Sequence, residues 1–197
     1  MGRRSPAGSP GRPTAICWAA ALLLAVTCTM TPAWAQDVSL ESAVKATYLY
    51  KFVPFVQWPR GAFPTDSSPV NICVAGDGPV GDLIGRLTAG QRVGVRPIVV
   101  RLLPSVSANT GCQILYAAGS METVTAALKA AAGEPVLTVT DLGSSATANG
   151  IINFVIEDSH VRFEIDDNAA FENRLVLSSK LLSIALPLQR GPSGSAE

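Results

Sequence analysis

One histidine, His160, is all the imidazole in this 197-residue chain, and two of its four cysteines, Cys17 and Cys28, lie within the first 35 residues. The other pair, Cys73 and Cys112, would need carboxylates beside His160 to complete a structural zinc site. A thiol or hydroxyl nucleophile would have to use that same histidine as its base. Charged residues make up only 15% of the chain, and lysine plus arginine equal aspartate plus glutamate at 15 each. That balance excludes the dense basic face that nucleic acid or an anionic membrane requires. Acidic residues are missing altogether between Asp82 and Glu122. The gap removes the acid that a nicotinamide dinucleotide site places about 20 residues after its glycine loop.

What is present begins with Arg3, Arg4 and Arg12 ahead of an uncharged apolar run, residues 15–30, followed by Ala33-Trp34-Ala35. This is the anatomy of a secretory signal peptide, with cleavage expected after Ala35. The run is shorter than the roughly 20 residues that span a bilayer, so a retained anchor is the weaker reading and no direct membrane insertion is expected. A twin-arginine signal at Arg3-Arg4 and a lipid-modified Cys28 are minor alternatives. Residues 36–190 are expected to form one domain in the periplasm, and residues 191–197 a disordered tail. Without residues 1–35 the chain carries three more acidic than basic residues.

The stretch "ESAVKATYLYKFVPFVQW", residues 41–58, carries Val44, Tyr48, Phe52, Phe55 and Val56 at helical spacing and predicts an amphipathic helix kinked at Pro54. Strands are expected over residues 70–75, 96–103, 112–117 and 136–140, with helices over 81–89 and from Ser120 to a stop at Gly133. Strands spaced by helices call for β-α-β units, because parallel neighbours need a crossover. The last third changes pattern. Residues 150–156 and 160–165 have hairpin spacing, and Asn168 and Ser178 are candidate caps of two short helices. The expected fold is α/β, Rossmann-like, a mostly parallel sheet flanked by helices with a C-terminal β-hairpin.

Gly76-Asp77-Gly78-Pro79-Val80-Gly81 spells G-x-G-x-x-G between strand and helix. With no acid downstream, and with Pro79 removing one N–H from the cradle, it reads as a strand-to-helix turn rather than a cofactor site. No cofactor is expected. Ser178-Ser179-Lys180 lacks the Ser-x-x-Lys spacing, and Glu164, Asp166 and Asp167 lack the order of a calcium loop, so no metal or catalytic set emerges. Cys73 and Cys112 sit in separate apolar stretches, and in an oxidising compartment a bridge between them is favoured over two free thiols.

The segments "VKATYLYKFVPFVQWP", "ICVAGDGPVG", "GCQILYAAGS", "PVLTVTD", "GIINFVIEDSHVRFEID" and "LVLSSKLLSIA", in that order, resemble the YfiR family of periplasmic regulatory proteins. The resemblance implies a non-catalytic, usually dimeric α/β domain. It also implies binding to the periplasmic part of an inner-membrane signalling protein, in the best understood members a diguanylate cyclase held inactive. Cys73 and Cys112 match the family's bridged pair. Pro54, Asp166 and Val176 depart from its pattern, and a second cysteine pair found in some members is lacking. Arg162 and Glu164, expected to point away from the core, and Leu186 and Leu188, around Pro187, are the candidate partner-binding residues. A periplasmic small-ligand-binding protein or sensor is the alternative.

Overall fold

The structure is a computed structural model and describes residues 34–142 and 148–187. Helix α1 (Trp34–Lys51) opens the fold and ends before the expected kink. Pro54 cannot continue an α-helix, and it instead sits at the start of a 3-10 turn, Val53–Phe55. The chain then extends into β1 (Val56–Gln57), so residues 52–58 are not the end of a helix. Next come β2 (Val70–Ala75), α2 (Pro79–Leu87), β3 (Arg92–Val93), β4 (Arg96–Leu103), β5 (Ile114–Ala117), α3 (Met121–Ala131) and β6 (Leu137–Thr140). The C-terminal third is β7 (Ile152–Glu157), β8 (His160–Ile165), α4 (Asp167–Glu172), β9 (Val176–Leu177) and α5 (Ser179–Leu182).

Seven strands form one sheet in the order β3-β4-β2-β5-β6-β7-β8, and β1 pairs with β9 in a separate two-stranded ribbon. The neighbours from β4 through β7 are parallel, whereas β3 and β8 add antiparallel at the two ends. This is the expected mostly parallel α/β sheet with a C-terminal hairpin. Helix-bearing crossovers join β2 to β4 and β5 to β6, but residues 104–113 return from β4 to β5 without a helix. The hairpin turn is Asp158-Ser159, both at positive φ (48° and 61°), the twist that a two-residue connection requires.

Alternation along β2 shows how the layers are filled. Val70, Ile72 and Val74 join Ala46 and Leu49 of α1, Phe52 just after it, and Val80 and Ile84 of α2 on one face. Cys73 and Ala75 join Leu115 and Ala117 of β5 and Val124, Ala127 and Ala131 of α3 on the other. With both faces covered, β5 is apolar throughout and β2 apolar but for Asn71, rather than alternating. Phe52, just past α1, packs edge-on against Phe163 of β8 at 5.2 Å and Tyr48 of α1 does so at 5.6 Å, fixing the hairpin under this end of α1.

A polar tie adds to this packing. Lys45, almost fully buried in α1, donates to both carboxylate oxygens of Asp141, at 2.7 and 2.9 Å, and to Glu41. The Tyr116 hydroxyl donates to Asp141 Oδ2 at 3.0 Å. Burial first, and then the adjacent Asp141 charge, raise the Tyr116 pKa well above the usual tyrosine range.

The helix caps follow local chemistry with one correction. Ser120 accepts from Thr123 N at 3.1 Å and Ser178 from Leu181 N at 3.3 Å, both as the sequence predicts. The cap of α4 is Asp166, accepting from Ala169 N at 3.0 Å, and not Asn168, which lies inside the helix. Asp166 lies just past the end of β8, where the backbone is still extended as a cap residue requires.

Candidate functional site

The glycine loop carries β2 into α2. Gly76 has φ +92°, and a Cβ placed there would lie 2.0 Å from the Ala118 carbonyl oxygen at the end of β5. Gly81 allows α2 to settle on Val74, whose Cγ1 would lie 3.2 Å from an added Cβ. Chain crossing and helix-strand packing therefore account for these glycines. The open hollow beside them, about 440 Å³, is lined by the carboxylates Asp77 and Asp82 and by no lysine or arginine. Such a lining repels phosphate.

Cys73 and Cys112 form a disulfide with Cα atoms 5.8 Å apart. Cys112 is not in a strand as expected; it precedes β5 by two residues, next to Gly111 at φ +68°. In the β2-β5 register the residue opposite Cys73 is Leu115, so the bridge reaches back to the loop instead of running straight across the ladder. His160 lies at the far hairpin turn, exposed, its Nδ1 2.6 Å from the Asp158 carbonyl. Among the described residues no three His, Cys, Asp or Glu side chains gather into a metal-binding group.

The expected partner-binding residues separate. Arg162 is exposed on β8. Glu164 corrects the expectation, being only 2% exposed. Alternation does place Phe163 and Glu164 on opposite faces, but at this end of the hairpin the second face is covered too. Glu164 stands across from Asn153, and Asn153 accepts at 3.0 Å from Thr140 Oγ1 on β6. Together with Thr138 these residues make a buried polar patch, in which Glu164 Oε2 has no hydrogen-bond partner. Leu186 is half-buried and pairs with Glu164 through the backbone, its N–H donating to Phe163 O at 2.8 Å. Leu188 lies outside the described residues.

Exposed apolar side chains in this third of the chain lie elsewhere: Ile156 on β7 (52% exposed), Phe171 on α4 (81%), Val176 on β9 (58%) and Ile184 just after α5 (57%). Phe171 is apolar at a position where a short helix turns to solvent, and Val176 was singled out in the sequence only as a departure from a family pattern. Their exposure depends on how α4, β9 and α5 pack, which local pattern does not report. Arg174 and Lys180 are charged neighbours in the same segment.

A family model described as YfiR/HmsC-like matches residues 42–186. The chain belongs to that family. The match starts within α1 and ends at Leu186, so in this YfiR/HmsC-like chain it takes in the whole sheet and every element of the C-terminal third. No curated protein matches the chain. Among the described residues no helix is long and apolar enough to cross a membrane.

Proposed function

We propose that the protein is an exported, non-catalytic regulator that binds the periplasmic part of an inner-membrane diguanylate cyclase and holds it inactive, lowering cyclic-di-GMP and biofilm formation. The observation that carries this reading is membership of the YfiR/HmsC-like family over residues 42–186. The signal-like N-terminus, cleaved after Ala35, agrees with a periplasmic site of action. The protein acts as a homodimer, as the family resemblance implies. Inhibition by contact needs only that it bind one state of its partner more tightly than the other.

The contact surface draws on the C-terminal third. Arg162, Phe171, Val176 and Ile184 offer the mixture of exposed apolar groups and a charged neighbour that specific contacts use. Leu186 borders that surface, Leu188 stays a candidate on its place in the sequence alone, and Glu164 is buried behind it. The test is to delete the gene, measure intracellular cyclic-di-GMP, and complement with wild type, Arg162→Glu or Phe171→Glu. Deletion is expected to raise the nucleotide, wild type to restore it, and Phe171→Glu to fail while folding normally. An unchanged nucleotide level in the deletion strain refutes the repressor reading. Full complementation by both variants moves the surface elsewhere.

A further inference from the structure

Helix α1 buries one face and leaves the other open. Ser42, Lys45, Ala46 and Leu49 are buried, whereas Leu40, Ala43, Val44, Thr47 and Lys51 follow a second stripe at helical spacing on the opposite side, about 16 Å long. Ala43, Val44 and Thr47 line an open hollow of about 420 Å³. Leu40, Val44 and Tyr48 form one wall of a groove of about 620 Å³, whose other wall holds Ile156 and Val161 of the hairpin. Leu40 is 66% exposed.

The centre of the stripe carries no charge, and the Thr47 hydroxyl donates to the Ala43 carbonyl at 2.8 Å, so its proton is satisfied inside the helix. The two ends are charged oppositely. At the amino end Glu41 and Asp141 share the single ammonium of Lys45, two carboxylates to one cation, and the end is net negative. At the carboxyl end the Lys51 ammonium lies over the Tyr50 ring, 5.2 Å from its centre, and has no carboxylate partner among the described residues.

We propose that this stripe is the self-association surface: α1 packs antiparallel against α1 of a second copy, about a twofold axis that passes between Val44 and Thr47. The proposal rests on the dimeric reading above and names its interface. In a twofold contact each patch meets itself, so opposite charges on either side of an uncharged centre are self-complementary. Val44 then faces Thr47 of the second copy, and Leu40 lies along the stem of its Lys51. Glu41, the next residue, meets the ammonium of that lysine, and symmetry makes the contact twice. The two copies of Glu41 stay about 13 Å apart along the helices, and the two copies of Lys51 about 16 Å. A parallel pairing would set each of these charges against its own kind, and it would lose the favourable opposition of the helix dipoles. Ala43 and Thr47 are small enough to let the two backbones approach. Each hairpin tip, beside the amino half of its own α1, then stands next to the carboxyl half of the other, which covers Leu40 and Ile156.

The test uses protein purified from the periplasm, weighed by size-exclusion chromatography with light scattering. Wild type is expected at the mass of two chains and Val176→Lys at two. Thr47→Arg is expected at one chain with a thermal midpoint no lower than that of wild type, since arginine is the better helix former. Lys51→Glu is expected to weaken association about tenfold at low salt and less at high salt. After oxidation, a mixture of the Leu40→Cys and Lys51→Cys proteins is expected to give a disulfide-linked dimer on a non-reducing gel, and Leu40→Cys alone to give none. A wild type that runs as a single chain overturns the dimeric reading and this proposal together, while the nucleotide measurement remains the separate test of repression. A dimer that survives Thr47→Arg, or Leu40→Cys cross-linking to itself and not to Lys51→Cys, overturns the α1 interface alone.

Discussion

Gly76 and Tyr116 each answer to a partner far away in sequence. The Ala118 carbonyl fills the space in which any Cβ on Gly76 would have to sit, and φ is +92° as well. Gly76→Ala is therefore expected to destabilise the fold by about 3 kcal/mol, strain and clash acting together, read from urea unfolding. Tyr116 adds a pH dependence. Its folded pKa is raised above the roughly 10 of an unfolded tyrosine, so its contribution is fully present below about pH 10 and is lost as pH rises further. The stability advantage of wild type over Tyr116→Phe is expected to stay constant from pH 7 to 9 and to shrink toward pH 11. An advantage that grows with pH would contradict the buried hydroxyl-carboxylate contact. Glu164 shows the same dependence on context: its neighbours in sequence mark it as a solvent-facing strand residue, and its neighbours in space bury it.

At the scale of elements, β2 and the approach to β5 are joined twice, by the parallel ladder and by the Cys73–Cys112 bridge across a separation of 39 residues. Closing a loop of that size restricts the unfolded chain and stabilises by roughly 4 kcal/mol in the chain-entropy description. The double variant Cys73→Ser/Cys112→Ser is expected to lose about that much in guanidinium unfolding and to keep the wild-type circular dichroism in the absence of denaturant, because the side chains around the bridge form their own apolar cluster with α3. A loss below about 1 kcal/mol would show that the unfolded chain is already restricted there. The hairpin is a second element with two parts. Near the sheet, residues 152–155 and 163–165 are buried on both faces, whereas Ile156, Glu157, His160 and Arg162 project beyond the helices. One strand thus serves the core at one end and solvent at the other.

For the whole molecule, the strand order sets the open edge of β4 apart from the C-terminal surface proposed for the partner. β4 lies near one end of the sheet and β8 at the other, with four strands between them. A partner bound at the C-terminal surface therefore leaves the β4 edge uncovered.

Much of this was readable in the chain itself. The Val70–Ala75 and Arg96–Leu103 strands, the α3 helix between Ser120 and Gly133, and the existence of the hairpin follow from local chemistry: apolar runs, a capping hydroxyl, a glycine stop and hairpin spacing, although Glu157, read as part of the turn, pairs with His160 as the last residue of β7. The glycine loop was legible as a turn for a similar reason, since the acid that a dinucleotide needs is missing from the sequence. Glu164, Asp141 and the free edge of β4 were not legible. Alternation along a strand separates two faces, but which of them meets water depends on what other segments bring over it, and for β7 and β8 near the sheet both are covered. Which strand ends a sheet is likewise decided by the order of pairing among segments distant in sequence. Phe171, Val176 and Ile184 are exposed because α4, β9 and α5 are too short to bury an apolar residue on every side, and only their packing determines which side is left open.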